Sequence, residues 1–140
     1  MTPPPVLYVE DDDSDVLLMR RAWKKVDVQN PLQVVTDGQD ALRYLSGEEQ
    51  YANRGDHPMP CLVLLDLKMP KVTGLEVLRW IRSQPALVGL RVVVLSSSNY
   101  PADINAAHGL RVDAYLIKPG TFDEWVAMVD TLNVYWLKGR

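Results

Sequence analysis

With one cysteine in 140 residues, Cys61, the chain cannot build a disulfide framework, and a zinc site is disfavoured. Cys61 falls in an apolar run and is expected to be a small core residue. A basic excess is also missing: 15 lysines and arginines stand against 18 aspartates and glutamates, a net charge of −3. Nucleic acid and anionic membranes both demand a basic face, so neither is an expected partner. No apolar stretch is long enough to span a bilayer, and Met1-Thr2-Pro3-Pro4-Pro5 lacks the basic-then-apolar order of a leader. A cytoplasmic location is the expectation. At 140 residues, 47% of them hydrophobic, there is length for one domain with a full core and none for a second.

The most informative stretch runs from Cys61 to Pro70, CLVLLDLKMP. Cys61 to Leu65 is apolar without interruption and bounded by prolines, long enough for a buried strand and too short for a helix. A strand apolar on both faces belongs in the middle of a parallel sheet, where chemistry gathers at the carboxyl ends. Asp66 stands at that end.

In chain order, a proline-rich lead, extended or disordered, precedes a first strand, Val6 to Val9, which runs into Glu10-Asp11-Asp12-Asp13. Ser14 to Val26 carries Val16, Met19, Ala22, Trp23 and Val26 at helical spacing, acids at its start and bases at its end. Leu32 to Thr36 reads as a second strand, and Asp37-Gly38 opens a helix that stops at Gly47. Glu48 to Pro60 is polar and punctuated by glycine and proline, so it is expected to be a surface loop. After the central strand, Thr73-Gly74 leads a third helix that ends before Pro85. Val92 to Leu95 is a fourth strand closed by Ser96, and Pro101 opens a helix ending at Gly109. Ala114 to Ile117 is a fifth strand stopped by Lys118-Pro119, for which a cis bond is one reading. Thr121 and Glu124 form a capping-box pattern before a last helix. Trp23, Trp80 and Trp125 fall on helices and are expected to pack there.

Five strands alternating with five helices imply an α/β fold, a doubly wound parallel sheet with right-handed crossovers. The commonest five-stranded order, 2-1-3-4-5, sets strands one and three side by side at the switch point. Glu10 and Asp11 would then face Asp66. Three carboxylates in one crevice repel unless a cation compensates them, and an all-oxygen pocket with room for water suits Mg²⁺. Ser96 and Lys118 end strands four and five at the same edge, adding a hydroxyl donor and an ammonium. A carboxylate nucleophile, a metal, a hydroxyl and an ammonium suit phosphoryl transfer onto Asp66. Taken singly, each has an ordinary reading as a helix-start acid, a strand-end acid or a turn residue; the conjunction at one edge is what speaks for chemistry.

On Val9-Glu10-Asp11-Asp12, Leu64-Leu65-Asp66-Leu67-Lys68-Met69-Pro70 with Gly74, Val94-Leu95-Ser96 and Tyr115-Leu116-Ile117-Lys118-Pro119, the chain resembles the receiver domains of two-component response regulators, a flavodoxin-like fold. The resemblance implies that Asp66 is the phosphoacceptor. It also implies that Asp11, Asp66 and the backbone carbonyl of Lys68 bind Mg²⁺, with Glu10 acting through water. Ser96 and Tyr115 would be the switch pair, the hydroxyl drawn inward and the ring following. The partner would be a sensor histidine kinase, and the protein no enzyme beyond its own phosphorylation and dephosphorylation. The long loop from Glu48 to Pro60 and the ending Leu132 to Leu137 look like the stand-alone regulators paired with phytochrome-type or other hybrid kinases. Two positions depart from the commoner pattern: Lys68 lies two residues after the acceptor, where side chains influence water access, and Ser96 replaces threonine.

The expected layout is a lead over 1–5, a receiver domain over 6–132 and an extension over 133–140, with no attached output domain. Output would then pass through the surface of helix four, strand five and helix five. Val134, Tyr135, Trp136 and Leu137 either cover the last helix or join two copies as a homodimer. A haloacid-dehalogenase-type phosphatase would show Asp-x-Asp, but Lys68 holds the second position. A flavin or nucleotide module would need a glycine-rich phosphate loop after strand one, where this chain is acidic. A degenerate receiver would lack the acceptor or the lysine, and both are present.

Overall fold

A computed structural model describes residues 2–138. Along them run β1 (Val6–Val9), α1 (Asp13–Val26), β2 (Leu32–Val35), α2 (Gly38–Ser46), β3 (Leu62–Leu65), α3 (Gly74–Ser83), β4 (Val92–Ser96), α4 (Pro101–Gly109), β5 (Ala114–Ile117) and α5 (Phe122–Leu132). A 3₁₀ turn, Glu49–Tyr51, follows α2, and a π-helical turn, Asn133–Leu137, continues α5. Met1 of the expected lead and Gly139 and Arg140 of the expected extension lie outside the described residues. Among the described residues no helix is long and apolar enough to cross a membrane.

The sheet is parallel throughout, in the order β2-β1-β3-β4-β5. Its two faces divide the apolar runs between them by the two-residue period of a strand. Leu7, Val9, Val63, Leu65, Val92 and Val94 face the side covered by α2, α3 and α4. Val6, Tyr8, Leu62, Leu64, Val93 and Leu95 face α1 and α5, where Met19, Ala22, Trp23, Trp125, Val129 and Leu132 close the second core. Because β1, β3 and β4 are covered on both sides, they read as unbroken hydrophobic runs.

Helix starts follow the side chains that can satisfy free N–H groups. Asp12 accepts from Ser14 and Asp15, Asp37 from Asp40, Thr73 from Glu76 and Thr121 from Glu124. The Thr121–Glu124 box closes differently from its expected form: the Glu124 carboxylate accepts the Thr121 hydroxyl at 3.0 Å. Gly47 ends α2 at φ 72°, a left-handed conformation that glycine adopts without a Cβ penalty.

Two local expectations need correcting, those for Cys61 and for the Lys118–Pro119 bond, and two others gain detail. The segment from Glu48 to Pro60 runs over the surface as expected, and it is pinned there: Tyr51 is buried, and Arg54 donates to the carbonyls of Tyr44, Leu45 and His57, capping the end of α2. Cys61 is half-buried at the rim, not in the core, with Sγ 3.7 Å from Asn30 Nδ2. Lys118–Pro119 is a trans peptide, and a ladder bond from Lys118 N–H to the Ser96 carbonyl, at 2.9 Å, already sets the turn. Of the two readings of the proline lead the ordered one holds, with Pro5 buried and its carbonyl accepting from Cys61 N–H at 3.0 Å.

Candidate functional site

Register alone brings the acids together. Val9 pairs with Leu65 across β1 and β3, so the next residue on each chain, Glu10 and Asp66, emerges at the same level. The ladder continues one step further: Asp66 N–H donates to the Val9 carbonyl at 3.1 Å and Glu10 N–H to the Val35 carbonyl at 3.0 Å. Glu10 is fully buried, Asp66 nearly so, and Asp11 is exposed at the mouth. Each of the three offers a carboxylate oxygen, all within 4.8 Å of one another.

Lys118, on the residue after β5, reaches into this cluster. Its Nζ lies 2.9 Å from Glu10 Oε1, 3.3 Å from Asp66 Oδ2 and 2.7 Å from Asp15 Oδ2. Asp15 belongs to the first turn of α1, a residue with no expected part in the site. A signal existed: α1 and α5 cover the same face, so the start of α1 stands across from the residue leading β5 into α5.

Burial dominates the electrostatics. It raises the Glu10 carboxyl to about 7, against the hydrogen bond from Lys118 and with the repulsion of Asp66. Tyr8, whose hydroxyl donates to Glu10 Oε1 at 3.3 Å, is pushed well above its usual value by burial and by Glu10. Burial pulls the Lys118 ammonium down, but hydrogen bonds to Asp15 and Glu10 and the charge of Asp66 outweigh it, and the net direction is up. Lys118 thus pairs with Glu10, Asp15 and Asp66, while Glu10, Asp11 and Asp66 gather three carboxylates at one point. This oxygen-rich, excess-negative set fits a divalent cation that keeps part of its water shell.

The other expected residues form a second group beside the first. Lys68 N–H donates to Asp66 Oδ1 at 3.2 Å, while its Nζ turns away to Asp103 on α4 at 3.1 Å. Asp103 also accepts the Ser98 hydroxyl, and this bond, with Lys68 second, holds its carboxyl below the usual range. Ser96 is fully buried at the end of β4, its Oγ accepting Ser98 N–H at 3.2 Å. Tyr115 donates its hydroxyl to the Ser98 carbonyl at 2.8 Å. Ser96 and Tyr115 therefore meet through Ser98, a residue that ordinary turn chemistry had hidden.

The model of the response regulator receiver domain family matches residues 6–130. The chain belongs to that family. Among curated relatives, the response regulator Rcp1 of Synechocystis is 35% identical over 97% of this chain and 90% of its own. The probable methanogenesis regulatory protein FilR2 of Methanothrix harundinacea is 36% identical over 94% of this chain and 83% of its own. The crystal structure of the phosphorylated cyanobacterial phytochrome response regulator RcpA superimposes with a TM-score of 0.90 at 35% identity, covering 99% of this chain and 96% of that one. The Mn²⁺-bound form of Rcp1 gives 0.87 at 33% identity over 99% and 97%. This receiver therefore shares its fold with a phosphorylated phytochrome response regulator and with a response regulator that holds Mn²⁺.

Proposed function

We propose that this receiver takes a phosphoryl group from the phosphohistidine of a sensor kinase onto Asp66. The Asp66 carboxylate attacks phosphorus, an O–P bond forms, and the N–P bond to the kinase imidazole breaks, leaving the electron pair on that nitrogen. The observation that carries the reading is the convergence on Asp66 of one ammonium and two further acids, Glu10 and Asp11. Bound Mg²⁺ would offset charge on the phosphoryl oxygens. Asp11, Asp66 and the Lys68 carbonyl would hold it, with Glu10 acting through water. Lys118 stabilises the charge that the phosphoryl group brings.

Phosphorylation replaces the single carboxylate charge of Asp66 with nearly two charges, carried further out on the phosphoryl oxygens. Ser96 would turn its hydroxyl from Ser98 N–H toward the new oxygens, loosening Ser98 and, through it, Tyr115 on β5. The responding surface is then α4, β5 and α5, with residues 6–132 as the acting unit, 1–5 as a lead and 133–140 as an extension. Val134 and Tyr135 are exposed on that extension while Leu137 is buried, so a contact between two copies would use Val134, Tyr135 and the flank of Trp136.

The donor we propose is a kinase of the phytochrome type, by likeness to the phytochrome response regulator RcpA and the bacteriophytochrome response regulator AtBRR. The test is transfer of radiolabelled phosphate from an autophosphorylated bacteriophytochrome kinase. Label should move to the wild type and stay on the kinase with Asp66→Asn or with chelator. Equal labelling of Asp66→Asn would remove Asp66 as the acceptor.

A further inference from the structure

Lys118 is held by more than the residues that the phosphoacceptor reading uses. An ammonium has three protons, and here each has a carboxylate: Asp15 at 2.7 Å, Glu10 at 2.9 Å and Asp66 at 3.3 Å. The shortest contact is to the residue with no part in the acid cluster. Asp15 is separated from Lys118 by 103 positions and sits on the first turn of α1, a helix fixed by its Asp12 cap and its packing on α5.

We infer that Asp15 is a positioning residue for phosphoryl transfer, acting through Lys118 rather than on the phosphoryl group. The inference rests on the proposed role of Asp66. Lysine carries its charge on a flexible four-carbon stem, so an ammonium tied at one point can still swing. Tied at Glu10 on the sheet and at Asp15 on α1, it has one proton left, aimed at Asp66. When Asp66 becomes an acyl phosphate, its negative charge moves outward to the phosphoryl oxygens. The longest bond, to Asp66, is the one released to follow it, while the other two stay. Glu10 is fully buried and Asp15 four-fifths covered, so neither bond is readily exchanged for one to bulk solvent. The ammonium then meets the incoming group without a search.

This anchoring role separates from two alternatives. A competitor for Lys118 would slow the reaction, so its removal would speed it. A further metal ligand would change Mg²⁺ affinity. Asp15→Asn keeps the size of the side chain and removes its charge. With a small phosphodonor at saturating Mg²⁺, the variant should take up phosphate about tenfold more slowly than wild type. Its Mg²⁺ dissociation constant by calorimetry should stay within about twofold, since Asp15 is not among the three clustered acids. The Lys118 Nζ signal in ¹⁵N NMR should be protected from exchange in the wild type and lost in Asp15→Asn before any phosphate is added. Uptake at or above the wild-type rate, or a matching fall in Mg²⁺ affinity, would overturn the inference. If the wild type itself takes up no phosphate, the acceptor reading fails; if it does and Asp15→Asn keeps pace, only the anchoring role falls.

Discussion

Gly74 and Asp66 touch through their backbones: a Cβ built on Gly74 would lie 2.2 Å from the Asp66 carbonyl oxygen and 2.6 Å from Leu67 Cα. Gly74 N–H also donates to the Leu67 carbonyl at 3.2 Å. The first residue of α3 thus clamps the loop that carries the acceptor, and the clamp requires a missing side chain.

Gly74→Ala should therefore do two things. Since the colliding atoms are backbone and cannot rotate away, it should cost about 2 kcal/mol of unfolding free energy, the scale of overpacking. It should also displace Asp66 and reduce phosphoryl uptake. Gly109→Ala is the control, because a Cβ there meets nothing within 4 Å. It should leave uptake unchanged and raise stability by up to about 1 kcal/mol. Urea unfolding and uptake assays on both variants check this.

The buried Glu10 gives the metal-free protein a pH dependence. Its carboxyl titrates at about 7 when folded, above its ordinary 4.5, so the folded state binds more protons between those values. Its contribution to stability is fully present below 4.5 and lost as pH rises through 7. Thermal unfolding without metal should show that decline, and Glu10→Gln should flatten it. A decline of equal size in Glu10→Gln would assign the effect elsewhere.

Asp103 works in the opposite sense. Its carboxyl is held low, so its contribution is present above the ordinary carboxylate value and lost as pH falls through the folded one. The Ser98 hydroxyl is the larger cause and Lys68 the smaller. Carboxyl NMR titration should find Asp103 moved further upward by Ser98→Ala than by Lys68→Ala. The reverse order would make the Lys68 pair the dominant contact.

Arg54 holds the long segment after α2 by three hydrogen bonds to carbonyls. Arg54→Ala should cost about 2 kcal/mol, the scale of bonds from a charged donor, and open residues 48–60 to limited proteolysis. An unchanged cleavage pattern would mean that Tyr51 and its bond to Asp40 hold the segment without Arg54.

Most of the fold was legible because its signals are local. Apolar runs at Val6, Leu62 and Val92 need burial on both faces, and Asp37, Thr73 and Thr121 announce helix starts in their own side chains. Glu10, Asp66 and Lys118 were legible because strand ends in this topology share an edge. Asp15 was not, since its partner is set by which helices share a face. Arg54 and Tyr51 were missed for a related reason. Long polar side chains that cap distant carbonyls leave no period in the sequence. Ser98 is the last of three consecutive serines, and only its contacts in the folded chain distinguish it from Ser97.

The central claim is that Asp66 is the acceptor in a metal-assisted transfer. The most direct measurement is intact mass after incubation with acetyl phosphate, with Mg²⁺ and with chelator, on wild type and Asp66→Asn. The wild type with Mg²⁺ should gain one phosphoryl group, and the other three samples should gain none. A gain in folded Asp66→Asn, or a gain unaffected by chelator, would contradict it.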